Sequence, residues 1–149
     1  MTQITILVVM LLAATLVGLA LRRRGGAVRA TGKTVTEQST RGQLLAGAGV
    51  TGGGPAVLHF SADWCGPCAA VRRVVAGVTE ELAESALPPL DIEIDIDADP
   101  ALARELNVLS LPTTFVFDTL GRERFRISGV PKSGDLLTAL APLTVPDPA

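Results

Sequence analysis

Both cysteines of this chain lie in one pentapeptide, Trp64-Cys65-Gly66-Pro67-Cys68. Two thiols two residues apart can close a disulfide and reopen it. Exchange of that kind needs a thiol that ionises easily, a second thiol within bonding reach, and access for a partner disulfide. The pentapeptide follows a short apolar run, Ala56 to Phe60, and opens a helically patterned segment. Cys65 therefore falls where a strand passes into a helix. Unpaired backbone N–H groups and the helix dipole favour an anion there. Cys68 follows about one turn later on the same face, at a separation a disulfide can bridge.

The intervening residues suit that task. Pro67 sits in the first helical turn, where no N–H bond is lost, and it stiffens the loop. Trp64, the single Trp, can shield the thiol and offer an apolar contact to an incoming peptide. A structural zinc site wants about four Cys or His ligands; the chain has two Cys and one His. Two inert core cysteines would have no use for Gly-Pro between them.

The elements that must hold this dithiol can be read from periodicity. Val57 to Ser61 reads as a short buried strand. From Gly66 to about Ser85, Val71, Val74, Val75, Val78 and Leu82 recur at helical steps, and Pro88-Pro89 closes the helix. Leu90 to Asp95 alternates as a strand with one wet face. Asp99-Pro100 starts a short helix over Ala101 to Leu106. Thr113 to Asp118 and Arg122 to Ile127 flank Leu120-Gly121 as a hairpin. Ser133 is expected to cap a last helix through Leu136, Leu137 and Leu140. A crossover followed by a hairpin makes an α/β fold: a mixed sheet flanked by helices.

With Leu111-Pro112-Thr113 some forty residues after the dithiol, residues 55–141 resemble thioredoxin. The resemblance implies that Cys65 attacks and Cys68 resolves, with Trp64, Gly66 and Pro67 as support. It implies that Pro112 is a cis-proline facing the dithiol, that the Leu111 backbone pairs with substrate, and that Gly129 lets substrate approach from the other side. It further implies protein disulfide substrates, an electron-donating reductase, and no metal or organic cofactor.

Three positions depart from the family pattern. His59 stands where thioredoxins usually carry a buried Asp, and Glu93 where they usually carry a Lys. The pair is expected to meet beneath the dithiol, His59 relaying the proton that leaves Cys68; a satisfied core imidazole is the other reading. Ala69 replaces a frequent Lys and removes one cation near the thiols.

Ile4 to Leu21 carries no charge, Pro, Asn or Asp, and eighteen helical residues rise about 27 Å, close to the hydrocarbon thickness of a bilayer. Residues 1–21 are expected to form one transmembrane helix. Arg22, Arg23 and Arg24 follow it, which favours a cytoplasmic location for what comes next. Residues 22–54 read as a basic Gly/Thr-rich linker, in which the weakly amphipathic piece Gln43 to Val50 can fold as a first short helix. Residues 142–149 read as a frayed Pro-rich tail. Gly32-Lys33-Thr34 is not the end of a phosphate loop, because Ala27 stands where that loop needs Gly. From Val50 on the chain carries 7 Lys and Arg against 14 Asp and Glu, and this acidic domain argues against nucleic acid as its main partner. Asp91, Glu93, Asp95, Asp97 and Asp99 read as a wet strand edge rather than a cation site, and Arg122, Arg124 and Arg126 as a solvated stripe or edge-strand protection.

With the resemblance, these features lead us to expect a single-pass membrane thiol–disulfide oxidoreductase that reduces protein disulfides from the cytoplasmic side. An extracytoplasmic exchange protein and a binding module with an incidental dithiol are the alternatives.

Overall fold

The computed structural model describes residues 6, 10–16, 28–30 and 40–146. The elements in chain order are β1 (Val28–Ala30), α1 (Thr40–Gly47), β2 (Ala56–Ser61), α2 (Cys68–Glu81), β3 (Leu90–Asp95), α3 (Pro100–Glu105), β4 (Thr113–Phe117), β5 (Glu123–Ser128) and α4 (Ser133–Leu140). A 3₁₀ turn, Ala141–Thr144, follows. The strands form one mixed sheet in the order β1-β5-β4-β2-β3, in which β2 and β3 run parallel and the other neighbours antiparallel.

Strand β2 is buried along its whole length because β3 and β4 flank it and helices cover both faces. On one face Leu58, Phe60, Phe115 and Phe117 pack against Leu45 of α1 and Leu102 of α3. Phe60 and Phe115 meet edge to face, with centroids 6.0 Å apart. On the other face Val57, Val116 and Ile127 receive Val71, Val75 and Val78 of α2 and Leu136 and Leu140 of α4. Each such apolar side chain contributes about 1.5–3 kcal/mol. The valine spacing therefore fixes which face of α2 meets the sheet, and so where its first residue, Cys68, must lie.

Several boundaries differ from expectation. Helix α2 stops at Glu81 because its end tightens: the Ala83 and Ser85 N–H groups reach back three residues, to Glu80 and Leu82. Asp99 does cap α3, accepting from the Leu102 N–H at 3.0 Å. Ser133 does not cap α4: Lys132 holds the cap position without a side-chain bond, and Ser133 is already helical. The tail is tied down at its start, since Thr144 is buried and its carbonyl accepts from the Leu87 N–H at 3.0 Å. The first short helix of the linker is present but runs over Thr40–Gly47 rather than Gln43 to Val50, and the linker also supplies the edge strand β1.

The arginine stripe is more than a solvated face. Arg122 and Arg124 converge on the buried Asp118. Arg126 and Arg41 both pair with Glu123, which is fully buried, and Arg126 lies 4.5 Å from the Phe115 ring centroid. Strand β5 needs no edge protection, because β1 covers it.

Residues 10–16 are helical, with Met10, Leu11, Leu12 and Leu16 exposed. Among the described residues no helix is long and apolar enough to cross a membrane. Most of the span expected over 4–21 falls outside them.

Burial alone would raise the Asp118 carboxyl, but the Arg122 backbone and side chain, the Leu120 N–H and Arg124 all donate to it and hold it below its ordinary value. Its contribution to stability is complete above about pH 4 and is lost as pH falls through the lowered value. Asp118→Asn is expected to cost about 1–3 kcal/mol at pH 7. In thermal melts the gap to the unsubstituted chain should narrow as pH falls from about 4 through the lowered value.

Candidate functional site

Strand β2 delivers the chain directly to the two sulfurs. After Ser61 a tight turn forms, with the Cys65 N–H donating to the Ala62 carbonyl at 3.0 Å and the Cys68 N–H to the Cys65 carbonyl at 3.2 Å. Pro67 takes the cap position of α2 with φ −71° and ψ −12°, a helical geometry its ring already prefers. Cys65 and Cys68 are joined by a disulfide with Cα atoms 5.5 Å apart. Gly66 and Pro67 are exposed and leave the bond uncovered.

The two sulfurs have unlike surroundings. Cys65 is half-buried and precedes the N-terminus of α2, while Cys68 is 1% exposed. The Cys68 Sγ lies 3.8 Å from the Phe60 carbonyl oxygen. Once the bond is reduced, the helix end favours a thiolate at Cys65. A buried sulfur facing a carbonyl oxygen instead favours a thiol that keeps its proton.

The loop before β4 forms the neighbouring wall. The Leu111–Pro112 peptide is cis. Thr113 pairs with Phe60 on one side and Ser128 on the other, so Pro112 stands at the end of the sheet that carries the disulfide. Gly129 is at that end too, and its N–H donates to the Pro112 carbonyl at 2.8 Å. Its φ of 90° is one that side chains other than glycine's rarely tolerate. Leu111 is half-buried, and Trp64 is 70% exposed with its Nε1–H donating to Asp97 at 3.0 Å. A cleft of about 400 Å³ lined by Ala46, Val50, Gly52, Gly53 and Leu120 lies at the opposite end of the sheet and presents no titratable side chain.

His59 is 2% exposed beneath α2, but its partner is not the expected one. Its Nε2 lies 3.1 Å from Asp91 Oδ1. Glu93 is His59's register neighbour across the parallel β2–β3 pair, yet Arg72, one turn after Cys68 in α2, draws its carboxylate away with a 2.6 Å bond. Burial pushes the Glu93 carboxyl up, but hydrogen bonds from Ser61 and Arg72 and the fields of His59 and Arg72 hold it below its ordinary value. His59 thus reaches Glu93 through the field and Asp91 through contact. Thr114, its neighbour on the β4 side, has a buried hydroxyl with no partner among the described residues.

Asp91, Arg72 and Asp97 belong to the site and were not singled out for it from the sequence. Asp91 is two residues before Glu93 and so on the same strand face. That alternation was the available signal. The rest of the acidic ladder is occupied locally: Asp95 accepts from the Asp97 N–H and Asp99 caps α3. No group of three or more His, Cys, Asp or Glu among the described residues could hold a metal ion.

The thioredoxin family profile matches residues 49–141, more than half of the sequence and all of this site. The chain belongs to the thioredoxin family. It is 39% identical over 90 residues to a thioredoxin of Mycolicibacterium smegmatis, covering 58% of this chain and 76% of that one. It is 38% identical over 88 residues to the bifunctional thioredoxin reductase/thioredoxin of Mycobacterium leprae, covering 58% of this chain and 18% of that one. A point-mutant thioredoxin from Halobacterium salinarum superposes with a TM-score of 0.55 at 30% identity, covering 68% of this chain and 85% of that one. Chloroplastic thioredoxin z shares the fold, with a TM-score of 0.57 at 22% identity over 77% of this chain and 96% of that one.

With the Cys65–Cys68 pair at bonding distance, this membership makes the chain a thiol–disulfide oxidoreductase. Thioredoxins act on protein disulfides, are served by a reductase, and need no cofactor besides the redox cysteines.

The burial asymmetry has a direct chemical readout. After reduction, iodoacetamide at about pH 7 is expected to modify Cys65 at least about tenfold faster than Cys68, as read by peptide mass mapping. Equal rates at both thiols would contradict the asymmetry.

Proposed function

We propose that the chain is a membrane-tethered, cytoplasm-facing reductase of protein disulfides, in which Cys65 attacks and Cys68 resolves. The contrast between a half-buried Cys65 at a helix end and a 1% exposed Cys68 carries the assignment of attack to Cys65 and release to Cys68. In the reaction the Cys65 thiolate attacks one sulfur of a substrate disulfide and forms a mixed disulfide. Cys68 then attacks the Cys65 sulfur, loses its proton, and releases the substrate as a dithiol. Two electrons and two protons pass to the substrate, and an electron-donating reductase restores the pair. Leu111, Pro112 and Gly129 position the substrate backbone, and Trp64 offers it an apolar contact.

The tether is supported by the helical residues 10–16, whose Met10, Leu11, Leu12 and Leu16 are exposed, with no described residue covering them. Leaving such side chains in water forfeits about 1.5–3 kcal/mol each, and a bilayer recovers it. Arg22, Arg23 and Arg24 favour the cytoplasmic side for the domain. A reporter fused after Ala149 and active only outside the cell would contradict that side.

The proton leaving Cys68 is assigned to the His59–Asp91 dyad. His59 is adjacent to Phe60, whose carbonyl touches Cys68, and Asp91 reaches the surface with a 35% exposed side chain.

A reduction potential near −270 mV for the full chain would support the reducing direction, whereas one near −120 mV would reverse it. For the dyad, His59→Ala and Asp91→Asn are each expected to slow insulin reduction near pH 6.5 by on the order of 10–100-fold. The deficit should shrink as pH rises, where hydroxide takes the Cys68 proton without the dyad. An unchanged rate and pH profile in His59→Ala would remove the dyad from the mechanism.

A further inference from the structure

Strand β1 is not used by the chemistry above, yet its direction is informative. It pairs antiparallel with β5, Val28 beside Ile127 and Ala30 beside Phe125. Ile127 pairs with Thr114, which pairs with His59; Phe125 pairs with Val116, which pairs with Val57. The chain therefore enters β1 nearest the end of the sheet that holds the disulfide, cis-Pro112 and Gly129, and leaves toward the opposite end. Val28 is one register step from the Ser128–Thr113 pair next to Pro112.

Only six residues, 22–27, separate Val28 from the apolar run that ends at Leu21. Six residues span at most about 20 Å when fully extended. Strand β2 alone keeps the two ends of the sheet about 17 Å apart. Joined at the disulfide end, such a tether could bring the Leu120 end to the bilayer only by running almost fully extended along the sheet; relaxed, it spans about 13 Å and favours the disulfide end toward the bilayer.

We infer that the dithiol faces the membrane surface and that its substrates are disulfides in the juxtamembrane parts of other membrane proteins on the same side. This rests on the tethering reading above. Such substrates share the dithiol's layer, so tethering raises their effective concentration, while soluble disulfides gain nothing. The rim beside the sulfurs carries exposed Asp63 and Asp97. These carboxylates favour disulfides flanked by Lys or Arg. The electron balance is that of the exchange: the substrate S–S bond breaks, the Cys65–Cys68 bond forms, and two electrons and two protons move to the substrate. A dithiol reductant restores the pair.

The test uses the full chain in phosphatidylcholine vesicles carrying dansyl-labelled head groups, with dithiothreitol as the dithiol. Trp64, the single Trp, is the energy-transfer donor at the disulfide end. A Trp64→Phe, Leu120→Trp chain reports from the other end. Trp64 is expected to lose at least about twofold more emission to the acceptor lipid than the Leu120→Trp reporter. A single-span peptide with a Lys-flanked disulfide within about five residues of the bilayer should be reduced at least about tenfold faster than the same disulfide on a stalk of about thirty residues. Inserting about twenty Gly/Ser residues between Ala27 and Val28 should abolish both differences. A chain that does not float with the vesicles overturns the tether and this inference together. A chain that floats but transfers equally from both ends, or prefers the stalked disulfide, overturns the inference alone.

Discussion

The structure depends on one junction, where a strand buried on both faces runs straight into the first turn of a helix. Because β2 is clamped by β3 and β4, its last residue has a fixed place. Because the valines of α2 must meet Val57, Val116 and Ile127, the helix has a fixed rotation. Those two constraints leave the four residues from Cys65 to Cys68 little freedom. They put one sulfur at the helix mouth and the other under it, and the unequal reactivity of two identical thiols follows from burial and backbone dipoles.

The remaining site parts are organised around the same strand. β4 brings Pro112 beside it from one side, and β5 adds Gly129 one strand further out. β3 brings a carboxylate to His59 from the other side. A buried imidazole is costly without a partner, and Asp91 supplies one while also facing solvent. Arg72 explains why Glu93 does not take that role. A guanidinium on α2 outcompetes an imidazole for the nearer carboxylate, since charge-assisted bonds of that kind are the stronger ones. The exchange of partners is thus settled by a helix residue whose reach across to β3 is a tertiary fact.

That division marks what can be read from residues alone. The alternation of Leu90 to Asp95, the valine steps of α2 and the Asp99-Pro100 start are local patterns, and local physics decides them. The Cys-Gly-Pro-Cys site and the Leu111-Pro112-Thr113 segment were legible through the resemblance. The pairing of His59 with Asp91, the burial of Glu123 between two arginines and the pairing of β1 with β5 were not. Each depends on contacts between residues far apart in sequence. Ser133 shows the converse: a favoured cap residue sits one position inside its helix, because Lys132 is extended and Leu136 has to reach the core.

The central claim is that the two sulfurs divide the labour of attack and release. Trapping in cells tests it most directly. The full chain carrying Cys68→Ser is expected to accumulate mixed disulfides with partner proteins that dithiothreitol dissolves, while Cys65→Ser accumulates none. Equal trapping by both variants, or trapping by Cys65→Ser alone, would contradict the assignment.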